Sequence, residues 1–133
     1  MRQLVDFGKS IPSSFSQSAT LSVQSLPNST ILGQFGLNVG ANGSVLLEGT
    51  IGLQNSAANS SDVIFTVVRN AVQVFTLQSS GLGAGDFETV HFSFADSGIA
   101  AGYYGYALIA SAISVANPPV IVGPLVFSGL SIL

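Results

Sequence analysis

Few side chains in this 133-residue chain could carry out chemistry, and their spacing does not group them. His91 is the single histidine, so a histidine-based metal cluster is impossible and a catalytic triad would depend on this one ring. It lies in a strand-like stretch beside Val90 and Phe92, and nothing near it in sequence supplies a nucleophile on a sharp turn. We therefore expect no catalytic residue and no enzyme activity.

The acidic residues and the glycine run are equally weak candidates for a site. Asp86 and Glu88 share one face of a predicted strand, but Ca²⁺ takes about six to eight oxygen ligands and no loop here is rich in acids. Glycines alternate over residues 81–85, yet no Lys-Ser/Thr pair follows them as it does in a phosphate-binding loop. We predict neither a metal site nor a cofactor.

Charge is the abnormal quantity in the composition. Asp, Glu, Lys and Arg make up 7% of the residues and leave a net charge of −3, whereas an ordinary soluble domain is about 25% charged. Lys and Arg are not clustered, which argues against nucleic acid as a partner. A surface with so little charge repels its own copies weakly, so we expect a homo-oligomer.

Neither a membrane span nor a secretory signal is predicted. Polar residues or glycine interrupt every hydrophobic segment before about 18 apolar residues have accumulated. The first residues also lack the apolar run of about seven or more that a signal peptide contains.

The strongest strand signal is a hairpin over residues 61–78. We predict strands at 63–68 and 72–77, joined by a turn at residues 69–71 where Asn70 can adopt a left-handed conformation. Both faces of the first strand are apolar, with Phe65 on one side and Ile64 on the other. One face would pack on the opposite sheet of its own domain and the other on a neighbouring subunit.

Alternating or β-branched segments recur along the rest of the chain, and no helical period survives. The clearest half-buried strand covers residues 44–54, and others are predicted near 20–26, 30–39, 86–95, 103–115 and 120–133. About eight strands with turn signals between them predict an all-β fold, an antiparallel β-sandwich. A jelly roll is favoured, and an immunoglobulin-like sandwich is the alternative.

Residues 1–18 form a segment distinct from the predicted domain at 19–133. Large apolar side chains are scattered among Ser, Gln and Pro in this segment: Leu4, Val5, Phe7, Ile11 and Phe15. A disordered tail is one interpretation, but disordered tails are depleted in aromatic residues. We predict an extended arm that docks, by strand addition, on a neighbouring subunit.

Three tyrosines are candidate interface residues. Tyr103, Tyr104 and Tyr106 lie close together in sequence, and tyrosine offers a large contact area at little cost in side-chain entropy. They could belong to the core, to an interface, or to a platform for a ligand.

Four stretches carry a resemblance to a known family. Residues 45–55 (VLLEGTIGLQN), 63–70 (VIFTVVRN), 87–96 (FETVHFSFAD) and 103–108 (YYGYAL) resemble the tumour necrosis factor-like jelly rolls on the spore surfaces of Bacillus-type bacteria. That group includes carboxy-terminal domains of collagen-like exosporium proteins and subunits of spore appendage fibres. The chain lacks the Gly-X-Y tract of the collagen-like members, so it resembles a fibre subunit more closely.

The resemblance implies a trimer with structural or adhesive work, placed outside the cell on the spore surface without a signal peptide. Our first hypothesis is a self-assembling fibre subunit whose arm links one unit to the next. The alternatives are an adhesive or carbohydrate-binding tip module, with the three tyrosines as its platform, and a viral capsid or decoration protein.

Overall fold

The structure is a computed structural model that describes residues 3–13, 21–55, 62–79, 86–113 and 119–133. Nine strands and no helix occur in these ranges. The strands are β1 (Leu4–Ser13), β2 (Leu21–Ser22), β3 (Thr30–Val39), β4 (Gly43–Gln54), β5 (Val63–Arg69), β6 (Val72–Ser79), β7 (Phe87–Ile99), β8 (Gly102–Ala112) and β9 (Val120–Ile132). The prediction of an all-β chain is confirmed.

The strands form two sheets that pack face to face. The first sheet has the order β1-β9-β4-β7, with the short β2 also paired to β9, and the second has the order β3-β8-β5-β6. All strand ladders are antiparallel. The pairs are nested, because β1 pairs with β9, β3 with β8, β4 with β7 and β5 with β6, and successive pairs alternate between the sheets. This nesting is the jelly-roll order, so the immunoglobulin-like alternative was wrong.

The core lies between the sheets and follows the two-residue period of each strand. On β4 the side chains of Val45, Leu47, Ile51 and Leu53 are fully buried, as their alternation predicted. Phe65 of β5, Tyr106 of β8 and Phe127 of β9 are the largest side chains buried with them. Each such apolar side chain contributes about 1.5–3 kcal/mol of transfer free energy, so the alternating residues account for the sandwich.

The predicted hairpin is confirmed at its tip. Asn70 and Ala71 both have positive φ, 47° and 69°, the conformation that a two-residue turn of type I′ requires. Phe65 packs in the core, while Ile64 on the opposite face is half-buried. The strand face that contains Phe65 therefore packs on the opposite sheet of the same chain. Packing of the other face on a neighbouring subunit stays a prediction.

The amino-terminal segment docks on its own chain. Its residues from Leu4 to Ser13 form β1, an edge strand that pairs with β9. Asp6 then joins the two sheets, because its carboxylate accepts hydrogen bonds from the backbone N–H of Asn38 in β3 (2.8 Å) and of Phe7 (2.8 Å). In the described part of the chain, β1 is thus an integral strand of the sandwich. Phe15 lies outside them.

Candidate functional site

The chemically capable side chains are placed apart from one another. His91 is exposed on the outer face of the first sheet, with its Nδ1 3.1 Å from Oγ1 of Thr50 on the next strand. Glu88 Oε1 accepts a hydrogen bond from Ser79 Oγ (3.1 Å). In the ranges that the structure describes, no three His, Cys, Asp or Glu side chains come together as metal ligands would.

One charged cluster ties the two sheets together at the hairpin tip. Arg69 Nη1 and the hydroxyl of Tyr106, both from the second sheet, donate hydrogen bonds to Oδ2 of Asp96 on β7 of the first sheet, the hydroxyl at 2.8 Å. The Arg69 guanidinium also lies 5.8 Å from the centroid of the Tyr104 ring, within cation–π range.

The environment of this cluster favours the charged form of Arg69 and the neutral form of Tyr106. The hydrogen bond to Asp96 raises the pKa of Arg69. Burial, followed by the hydrogen bond to Asp96, raises the pKa of Tyr106. A neutral phenol and a permanently charged guanidinium on one carboxylate make a structural contact, with neither a free base nor an activated nucleophile among these three side chains. Sequence reasoning missed this cluster, since its members are up to 37 positions apart (from 69 to 106).

The three tyrosines do not form one platform. Tyr106 is 1% exposed in the core, whereas Tyr103 is 66% exposed on the outer face of the second sheet. Tyr104 is half-buried, and its hydroxyl donates to the backbone carbonyl of Ala100 (2.8 Å). Successive residues of a strand point to opposite faces of the sheet. Tyr104 and Tyr106, two positions apart, therefore share the inner face, while Tyr103 lies on the outer face. Of the three tyrosines, only Tyr103 is exposed.

Tyr103 borders a depression on the outer face of the second sheet, which we name the Tyr103 trough. Its volume is about 460 Å³. Gly36 of β3 lies directly opposite Gly105 of β8, so two adjacent strands lack side chains at the floor. The residues that we use to define the trough are Gln34, Gly36, Val68, Asn70, Tyr103 and Gly105.

The outer face of the first sheet carries an apolar row across four strands. Phe7 of β1 is opposite Leu130 of β9, Leu130 is opposite Leu46 of β4, and Leu46 is opposite Ala95 of β7. Phe7, Leu46 and Leu130 are 50%, 42% and 38% exposed. Directly opposite residues have their side chains on one face, so these four residues, the apolar row, make a continuous stripe.

The predicted arm residues sit at one end of this row. Leu4, Val5, Phe7 and Ile11 are all exposed on β1, and Phe7 is a member of the row. Sequence reasoning did not include Leu46 and Leu130. The available signal was Leu46 itself, an apolar residue on the otherwise polar or small-residue face of residues 44–54.

The described residues contain no candidate membrane-spanning helix.

Comparisons with known proteins show the fold class and nothing narrower. No family model matches the chain, and no curated protein matches it. Among solved structures it is similar to part of dimeric latent PorU from Porphyromonas gingivalis, with a TM-score of 0.52 and 11% sequence identity over 96% of this chain. The chain spans 12% of the length of that protein. At this identity the likeness supports the β-sandwich architecture alone.

Proposed function

We propose that this chain is a structural subunit that self-assembles through the outer face of its first sheet. The apolar row carries the proposal, because it places three large apolar side chains in register across β1, β9 and β4. Contiguous exposed apolar surface of this kind is typical of protein–protein contacts.

The neighbours of the row suit a permanent contact. The adjacent row on the same face contains Lys9, Ser128, Glu48 and Ser93 in register, so one positive and one negative residue flank the apolar side chains with a serine between them. Opposite charges at the rim and apolar residues inside match the anatomy of a stable interface.

The larger assembly follows from the family resemblance. The resemblance to spore-surface jelly rolls implies a trimer that is located outside the cell, on the spore. The absence of a Gly-X-Y tract favours a fibre subunit over a collagen-like protein. The exposed residues of β1 beyond the row, Leu4, Val5 and Ile11, would link one oligomer to the next. On this hypothesis, other spore-surface proteins are further partners.

The oligomer contact is tested with the double variant Leu46→Ser, Leu130→Ser. Both side chains point outward, so the variant should fold while losing the centre of the apolar row. Native mass spectrometry and light scattering should report oligomers for the wild type and monomers for the variant. The matched control is Val72→Ser, which removes an apolar side chain that is 59% exposed on β6 of the other sheet. An unchanged oligomer in the double variant, or a monomeric wild type, would contradict the proposal.

The fibre contact requires substitutions and not a deletion. Removing residues 2–15 would delete β1 and expose the edge of β9, so the deletion would destabilise the fold. The variant Leu4→Ser, Ile11→Ser keeps the strand and changes only exposed side chains. We expect it to form oligomers of wild-type size but no long filaments under negative-stain electron microscopy. Filaments of normal length would refute the linking role of β1.

A further inference from the structure

We propose that the Tyr103 trough binds a neutral carbohydrate. The inference concerns the sheet opposite to the proposed assembly surface and does not depend on self-assembly. Its volume, about 460 Å³, falls within the range of about 300–1,000 Å³ typical of small-molecule sites.

The shape of the trough arises from its glycines and from the position of the Tyr103 side chain. A Cβ added at Gly36 would lie 2.1 Å from the hydroxyl oxygen of Tyr103, so the phenol extends along the sheet above Gly36. With 66% of the residue still exposed, the tyrosine contacts the sheet on one side and solvent on the other. An aromatic ring held in this way offers its face to the C–H groups of a sugar ring.

Amide groups supply hydrogen bonds at the rim. Asn70 is held by two hydrogen bonds to Gly105, because its backbone N–H donates to the Gly105 carbonyl (2.8 Å) and its Oδ1 accepts from the Gly105 N–H (2.8 Å). Neither the Asn70 amide nitrogen nor the side-chain amide of Gln34 has a hydrogen-bond partner among the described residues. Amides both donate and accept, which matches hydroxyl groups that do the same.

The electrostatics of this face select against charged ligands. No outward-facing residue within β3, β5, β6 or β8 is charged. Arg69, at the end of β5, is engaged with Asp96. A phosphate, a nucleic acid or an acidic sugar would find no counter-charge on these strands, whereas a neutral sugar needs none.

The test uses an array of neutral oligosaccharides (glucose, N-acetylglucosamine, galactose and mannose types), with sialylated and sulfated oligosaccharides as the charged set. Isothermal titration calorimetry then measures the affinity for the best neutral probe. We expect saturable binding to at least one neutral probe and no preference for the charged set. Tyr103→Ala should weaken that affinity at least about tenfold, while Tyr103→Phe, which keeps the ring, should retain most of it.

A second variant narrows the trough without disturbing the fold. A Cβ at Gly105 would meet only the Asn70 Oδ1 atom, at 3.6 Å, so Gly105→Ala fits sterically and adds a methyl group to the floor. It should weaken binding as Tyr103→Ala does. Phe87→Ala, which removes an aromatic residue 53% exposed on the other sheet, is the control and should bind like the wild type.

The outcomes separate this site from the assembly surface. Binding should persist in the monomeric Leu46→Ser, Leu130→Ser variant, because those residues lie on the opposite face of the sandwich. The proposal is overturned by no saturable binding to any neutral probe, by binding to charged probes alone, or by equal affinity in Tyr103→Ala. Loss of binding in the monomeric variant would also overturn it, since the ligand would then occupy an interface between copies.

Discussion

At the scale of single residues, the contact among Arg69, Asp96 and Tyr106 is a polar link between the sheets. One carboxylate oxygen accepts from both a guanidinium and a phenol. Asp96 is nearly buried, with 9% of its side chain exposed, while the Arg69 side chain keeps 25%. Such a contact matters for stability mainly because removing one partner leaves the other polar group buried without a hydrogen bond.

Asp96→Asn should lower the free energy of unfolding by about 2 kcal/mol, because Arg69 would lose its carboxylate partner while remaining partly buried. Urea unfolding followed by circular dichroism measures the change. Asp86→Asn is the matched control, since it makes the same chemical change at an exposed residue outside the apolar row and its flanking charges, and it should shift stability by less than about 0.5 kcal/mol. Equal stabilities for the two variants would contradict a structural role for the cluster.

Tyr106 should make the fold sensitive to alkali. Its pKa in the folded chain is raised above the ordinary value of 10.0, so folding favours the neutral phenol. That contribution is complete below pH 10 and is lost as the pH rises towards the folded-state pKa, with a limiting slope of about 1.4 kcal/mol per pH unit. Urea unfolding at pH values from about 9 to 11 should show a smaller decline for Tyr106→Phe than for the wild type. Tyr103→Phe, at an exposed position, should decline as the wild type does. Parallel curves for all three would refute the assignment.

At the scale of elements, β1 packs closely because two glycines accept one aromatic ring. Gly8 of β1 is opposite Gly129 of β9, and added Cβ atoms there would lie 2.3 Å and 2.8 Å from atoms of the Phe35 ring. Phe35 in turn stacks on Tyr106 and packs against Phe127, with ring centroids 5.9 Å and 4.8 Å away. The edge strand of one sheet is therefore fitted to the edge strand of the other.

Gly8→Ala should destabilise the domain by about 1–3 kcal/mol, because the new methyl group displaces the Phe35 ring from its contacts. Thermal unfolding measured by calorimetry tests this. Gly105→Ala adds the same methyl group where it would meet only Asn70 Oδ1, at an ordinary van der Waals distance of 3.6 Å, and should change stability far less. If both variants melt together, the close approach at Gly8 is not important for stability.

At the scale of the whole molecule, the low charge determines how the proposed assembly should respond to salt. An interface made by the apolar row involves few ion pairs, so screening has little to weaken. We expect oligomers to persist in about 1 M NaCl, where charges are screened within about 3 Å, and to strengthen in ammonium sulfate. Sedimentation velocity across the two salt series measures this. Dissociation in NaCl would show instead that Lys9 and Glu48 dominate the contact.

Local pattern explains which parts of the fold were predictable. The hairpin tip at Asn70 depends on a turn preference of neighbouring residues, and the buried face of β4 depends on alternation within one strand. Both are properties of short segments, so they could be inferred without the rest of the chain. The placement of the amino-terminal segment could not, because its pairing partner β9 is more than 100 positions away.

The sequence by itself determined that this chain forms β-strands, since a period of two apolar positions can bury one face only in a sheet. Tertiary structure alone decided the nested strand order, which places Phe7, Leu46 and Leu130 in one row. It also decided that Tyr103 faces outward beside Gly36 while Tyr106 is buried against Asp96. Both surfaces are made by residues from distant strands, whose register is set by packing of the whole sandwich and by no local signal.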